Sequence, residues 1–307
     1  MADSLSGVLR WLEAHDPYRR IIITCPHSPA PDLGHSDLAI VLDSCLAHAT
    51  LGLSAQLLAC GTPRVEYVPC TEHPEEAARK VSLWQALTPG LVGEFQPSKR
   101  SFLHGETIRM EAVPIARRAL FGAGSDGPVD PSADDQSRTI AALRYLQERK
   151  LIGEVPDIPN AGSGIRLSVE GCTACGVCVN SCPQQALTLS RTQTPDGATI
   201  HQLSHLADKC RACQACVRFC PVHAITPGAH IHLHDALEAR TYSLASVATR
   251  ICKHCGMVFP AGQGELCSVC AFRDENPFGS RIPPELARQL PPDIAERLMR
   301  PTSQQSS

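Results

Sequence analysis

Residues 172–188 read CTACGVCVNSCPQQALT, and residues 210–226 read CRACQACVRFCPVHAIT. The two stretches are offset by 38 residues and agree at 9 of 17 positions, so they form an internal repeat. Each carries the spacing C-x-x-C-x-x-C-x-x-x-C-P. Three cysteines at two-residue intervals wrap three corners of an iron–sulfur cube, and the fourth, before proline, is displaced toward a second cube. The spacing predicts one cluster on Cys172, Cys175, Cys178 and Cys220 and another on Cys210, Cys213, Cys216 and Cys182. Each repeat thus completes its neighbour's cluster. The small residues Ala174, Gly176, Ala212 and Ala215 keep the loops tight enough for backbone N–H groups to reach sulfur, and Pro183 and Pro221 turn the chain after the fourth ligand.

The rest of the cysteine pattern agrees with this chemistry. The chain has 16 cysteines in 307 residues, 12 of them between positions 172 and 270. They come in C-x-x-C groups, which suits metal-bound thiolates in a reducing cytoplasm better than a secreted disulfide scaffold. Met1 to Pro17 carries Asp3, Arg10, Glu13 and Asp16 and no apolar signal core. Charge is balanced, 28 Lys and Arg against 31 Asp and Glu, which argues against a broad electrostatic grip on nucleic acid or an anionic membrane. The most apolar stretch, Leu38 to Gly61, is interrupted by Asp43, His48 and Gln56 and reads as buried strand and helix rather than a membrane span.

Outward from the repeat, residues 1–95 predict an α/β domain with a short, Rossmann-like parallel sheet. Arg20 to Thr24, Leu38 to Leu42 and Arg64 to Val68 read as strands covered on both faces. Cys45 to Cys60 and Glu75 to Leu87 read as helices, with Gly61 at a helix end and Pro74 in a first turn. Residues 96–164 read as a breaker-rich connector with one helix, Ser137 to Leu151. Within it, Gly122 to Gly127 fits G-x-G-x-x-G but lacks the strand before and the helix after that a dinucleotide site needs. Arg117-Arg118 is internal and reads as a basic surface turn. Residues 165–230 form the two-cluster domain, 231–280 a further cysteine module and 281–307 a short helical tail in which PPELARQL is echoed by PPDIAERL. His230, His232 and His234 alternate as they would along one face of a strand.

Residues 167–227 resemble the bacterial-type ferredoxin with two [4Fe–4S] clusters, and all eight ligand positions match. The resemblance implies an α+β fold and low-potential, one-electron transfer. The stretch between Cys182 and Cys210 is longer than in the most compact ferredoxins, and Thr194 to Gly197 predicts a hairpin turn in it. Lys209, Arg211 and Arg218 predict a higher potential for the second cluster. In the next module, Cys252 and Cys255 are separated by eleven residues from Cys267 and Cys270. Two knuckles with no third cysteine suit a tetrahedral four-thiolate site, and the module resembles a zinc ribbon; a single iron or a further cluster are its other readings.

Cys25, Cys45, Cys60 and Cys70 have no standard local ligand spacing, although Cys25, Cys45 and Cys70 each have a histidine two or three residues on. The order of strands and cysteines from Ile40 to Cys70 resembles the iron–sulfur delta subunit of methyl-viologen-reducing hydrogenases, a family that carries electrons and can hold a [2Fe–2S] cluster; the denser cysteine group expected near Cys25 is a single residue here. Three readings stand: small buried residues at strand ends, ligands of a further cluster, or a reactive thiol facing a helix N-terminus. The sequence as a whole predicts an electron carrier or electron-transfer subunit that exchanges single electrons with a larger redox enzyme, rather than an enzyme by itself. Its alternative is an oxidoreductase subunit whose N-terminal domain is catalytic or binds a further cluster or flavin, with the two clusters as its internal wire. A zinc ribbon that recognises nucleic acid finds few charges in Arg250, Lys253 and Arg273.

Overall fold

A computed structural model describes residues 4–97, 105–114, 127–156, 158, 164–193, 199–276, 288–292 and 294. The chain divides into two compact units, 1–164 with 230–240, and 165–229 with 241–307.

The first unit is built on a five-stranded sheet. Its strands are β1 (Arg20–Thr24), β2 (Asp37–Val41), β3 (Val65–Tyr67), β4 (Val92–Glu94) and β5 (Glu106–Arg109), in the order β4-β3-β1-β2-β5. All four pairings are parallel. Ile21, Ile22 and Ile23 are fully buried, as expected for a central strand covered on both faces. Its helices within residues 1–164 are α1 (Ser4–Glu13), α2 (Leu53–Ala59), α3 (Pro74–Leu87) and α4 (Asp135–Glu148). The helix expected over Cys45 to Cys60 is shorter: Leu46–His48 is a single 3₁₀ turn, and α2 starts after Gly52. Gly52 is where α4 comes closest, since a Cβ there would lie 1.8 Å from Thr139 Oγ1. Asp134 caps α4, accepting the Gln136 and Ser137 N–H groups at 3.1 Å.

One buried ion cluster ties three strands together. Arg20 on β1 pairs with both carboxylate oxygens of Asp37 on β2 and with Glu66 on β3, each at 2.8 Å. Asp37 and Glu66 are 3% and 5% exposed, so the charges are satisfied by each other rather than by water.

The segment carrying His230, His232 and His234 differs from the strand read in the sequence. Strand β9 (Ile225–His230) ends at the first histidine, His232 precedes helix α7 (Leu233–Leu237), and His234 lies in that helix, 3.1 Å from Glu238. The reason is local packing. Leu233 and Ala236 are buried, and Arg144 of α4 donates to the Ala236 and Leu237 carbonyls at 2.8 and 2.7 Å, satisfying the helix end.

The second unit contains β6 (Ile165–Val169) paired with β9, and a four-stranded antiparallel sheet in the order β11-β10-β8-β7. Its members are β7 (Leu187–Gln193), β8 (Thr199–Leu206), β10 (Thr241–Ile251) and β11 (Val258–Pro260). Strands β7 and β8 pair up to Gln193 opposite Thr199; the expected turn at Thr194 to Gly197 between them lies outside the described residues. Most of the G-x-G-x-x-G stretch and of the tail also lies outside them. Two short helices, α5 (Val177–Asn180) and α6 (Ala215–Arg218), sit at equivalent places in the repeats, and α8 (Ser268–Glu275) follows Cys267. Among the described residues, no helix is long and apolar enough to cross a membrane.

Candidate metal centres

The repeat in sequence is a repeat in backbone geometry. Ala174 and Ala212 have φ of 56° and 52°, Gly176 and Gln214 have 74° and 56°, and Gln185 and His223 have 52° and 50°. Five of these six residues are not glycine, and each left-handed position costs roughly 1–2 kcal/mol. The geometry turns N–H groups toward sulfur. Ala174 N–H donates to Cys172 Sγ at 3.4 Å, and Ala186 and Ala224 donate to Cys182 and Cys220 at 3.2 and 3.3 Å. These bonds favour thiolate and disperse its charge.

Two small cavities result. One is lined by Cys172, Cys175, Cys178 and Cys220, with Leu189, Leu203 and Ile225 as its apolar wall. The other is lined by Cys182, Cys210, Cys213 and Cys216, with Ile165, Leu167 and Leu187. In each set, three thiols come from one repeat and the fourth from the other. Burial, followed by the neighbouring Cys172 and Cys175, pushes the Cys178 thiol up to about 11. Cys216 is likewise raised to about 11 by burial and then by Cys210 and Cys182. Thiols gathered at this density resist ionisation unless a cation shares their charge, which is the donor chemistry of an iron–sulfur site. Of the basic residues singled out in the sequence, Arg211 lines the second cavity and donates to the Asp208 and Cys210 carbonyls at 2.8 and 3.1 Å.

The second cavity also holds a residue that sequence reasoning missed. His205 on β8 is fully buried, and neither ring nitrogen has a hydrogen-bond partner. Burial, helped by the charge of Arg166, lowers its pKa to about 4, so it is neutral. The only sequence signal was an alternating strand pattern that places position 205 inward.

Cys252, Cys255, Cys267 and Cys270 bring their sulfurs within 4.8 Å of one another. The Cys255 and Cys267 sulfurs are 3.7 Å apart, and tetrahedral ligands at Zn–S of about 2.3 Å stand about 3.8 Å apart. The Cys267 N–H donates to Cys252 Sγ at 3.3 Å, and backbone N–H donors such as this one hold the Cys252 thiol down at about 6. Gly256 turns the knuckle at φ 73°. His254 is exposed, with Nδ1 3.6 Å from Cys270 Sγ, and is not one of the four mutually close ligand groups.

The four N-terminal cysteines separate into three and one. Cys25 follows β1, Cys45 follows β2 and Cys70 follows β3, and these three meet at the carboxyl ends of adjacent parallel strands with His27 beside them. Cys60 closes α2 elsewhere, and burial, then Glu13, raises its thiol to about 12.

Residues 171–224 match the family model of the 4Fe–4S dicluster domain. A search of curated proteins found no match to the chain. The matched segment holds all eight repeat cysteines and makes this part of the protein a ferredoxin-type iron–sulfur domain, a domain type suited to electron transfer.

Proposed function

We propose that the chain carries single electrons to or from a larger redox enzyme through two [4Fe–4S] clusters. Cys172, Cys175, Cys178 and Cys220 hold the first, and Cys210, Cys213, Cys216 and Cys182 hold the second. The single observation that carries this reading is the pair of four-cysteine cavities, each completed by the other repeat. A bound cubane supplies reversible one-electron storage. The protein's residues do the rest. Eight thiolates fix the positions, the N–H groups of Ala174, Ala186 and Ala224 stabilise charge on sulfur, and Leu189, Leu203 and Leu187 keep water from the inner faces. Exposed Val177, Phe219 and Val222, each adjoining a ligand cysteine or lying two residues from one, offer an apolar contact for the partner.

Zinc is the proposed occupant of Cys252, Cys255, Cys267 and Cys270, supported by sulfur spacing that suits one tetrahedral ion. It stabilises a piece of chain whose own apolar core is small.

Anaerobic coulometric titration followed by EPR tests the reading. It expects uptake of about two electrons per chain in one-electron steps, from two cubane clusters. A chain that takes up none, or that shows only a mononuclear iron signal, overturns it.

A further inference from the structure

Cys25, Cys45 and Cys70 are 2%, 5% and 2% exposed, and with His27 they place one ligand atom each within 4.8 Å of all the others. The arrangement follows from the sheet. Strand β1 has β2 on one side and β3 on the other, so the chain reverses direction across the sheet at this point. In open parallel sheets, the crevice outside the carboxyl ends at such a reversal is where ligands bind. All four residues lie at that end.

The histidine supplies an independent observation. His27 Nδ1 is buried and has no hydrogen-bond partner, while Nε2 lies 3.0 Å from the Glu72 carboxylate. A buried ring nitrogen left unpaired is costly. A carboxylate on one ring nitrogen fixes the proton there and turns the other nitrogen's lone pair to a metal, the usual outer-shell support of a metal-bound histidine. The loops are fastened around this point. Ser28 Oγ bridges Cys25 Sγ at 3.2 Å and the Val68 carbonyl at 3.2 Å, and the Thr71 N–H donates to the His27 carbonyl at 3.2 Å.

The spacing selects the occupant. The Cys45 and Cys70 sulfurs are 3.6 Å apart, close to the roughly 3.8 Å between thiolates on one tetrahedral zinc. A [2Fe–2S] cluster seats two ligands on each iron and a cubane one on each, and ligand atoms on different irons stand farther apart than the 4.8 Å within which all four lie here. A disulfide between Cys45 and Cys70 would use two of the four groups and leave Cys25 and His27 Nδ1 without a role.

We propose that Cys25, His27 through Nδ1, Cys45 and Cys70 bind one zinc ion, with Glu72 holding the His27 Nε2–H. On binding, the three thiols release their protons to solvent and the imidazole enters neutral. Three thiolates and a dication leave a net charge of −1 at the site. The ion pins the loops after β1, β2 and β3 to one another. This site is independent of the two-cluster reading.

The test is metal content by mass spectrometry on the full-length, anaerobically purified protein and its variants. The paired substitution Cys25→Ser and Cys70→Ser is expected to remove about one zinc per chain and leave iron unchanged, as for a single tetrahedral site. The pair Cys252→Ser and Cys255→Ser is expected to leave that zinc in place. Glu72 is exposed, so Glu72→Gln keeps the fold and reads the site directly: zinc is expected to pass to a competing chelator about 10- to 100-fold more readily. Cobalt loaded in its place is expected to show the intense visible bands of a tetrahedral thiolate site, weakened in His27→Gln. Zinc content and chelator resistance identical in all site variants overturn the proposal. So does iron lost with the first pair, or a mass two daltons low from a Cys45–Cys70 disulfide.

Discussion

The two units of this protein hold themselves together by different means. Among the described residues, the first unit has a continuous core of 35 buried apolar residues around the parallel sheet, from Leu5 and Trp11 through Ile21, Trp84 and Leu143 to Leu233. The second has one core of six residues, two of them Cys178 and Cys220, and another of three, two of them Cys252 and Cys270. An apolar core of several dozen residues supplies enough burial to offset chain entropy; a core of six or three does not. On the proposed assignment, the cysteines of the second unit are both the apolar filling and the ligands, which makes fold and metal binding one event. The lesson concerns the Cys25 group: it is a metal-type constellation inside the unit that does not need a metal to fold.

Metal removal is the strongest way to break this contrast. Stripping iron and zinc with a chelator under denaturant-free conditions is expected to abolish hydrogen-exchange protection in β7, β8 and β10 and leave that of β1 to β3 in place. Equal loss in both units would erase the distinction. The next largest effect belongs to Arg20. Replacing it with Met leaves Asp37 buried without its cation and Glu66 with only the half-exposed Arg64, and is expected to cost about 3–5 kcal/mol in the first unit, with iron content unchanged, read by denaturant melts alongside the visible spectrum.

The same ion cluster sets an acid-side slope. Burial pushes the Asp37 carboxyl up, but the Arg20 hydrogen bond, the Gly34 N–H and the Arg20 charge together hold it below its ordinary value. A lowered folded-state pKa stabilises the fold fully above about 3.9 and loses that contribution as pH falls through the folded value. Arg20→Met is expected to flatten this slope in acid titrations of the first unit. A smaller effect sharpens the picture of the second unit. His205→Leu removes a neutral N–H donor from the wall of the second cavity and is expected to lower that cluster's midpoint while the first stays fixed, read by EPR redox titration. An unchanged second midpoint would make His205 a filling residue only.

What was legible in the sequence follows the same divide. The eight repeat cysteines and the two knuckles between Cys252 and Cys270 fall at short fixed intervals, so spacing alone singles them out as the proposed ligands. The buried strands Ile21 to Ile23 and Leu38 to Ile40 were legible as unbroken apolar runs. The meeting of Cys25, His27, Cys45 and Cys70 was not. Residues 20 and 25 positions apart are joined only because a parallel sheet aligns the ends of β1, β2 and β3, and sequence spacing does not encode that register. The histidines from 230 to 234 misled for a related reason: alternation suggested a strand, while Leu233 and Ala236 found a helical seat beneath Arg144. The left-handed turns at Gln185, Gln214 and His223 carried no glycine signal at all.

The central claim is that two sets of four thiolates, each borrowing one member from the other repeat, hold two cubane clusters. Iron and acid-labile sulfide counted on one anaerobic preparation, for the native chain and for Cys182→Ser, test it most directly. The account predicts about eight irons and eight sulfides in the native protein, and in the variant a perturbed EPR signal from the cluster assigned to Cys210, Cys213 and Cys216 with the other intact. A colourless native protein without sulfide, or a variant whose altered signal belongs to the Cys172 set, would contradict it.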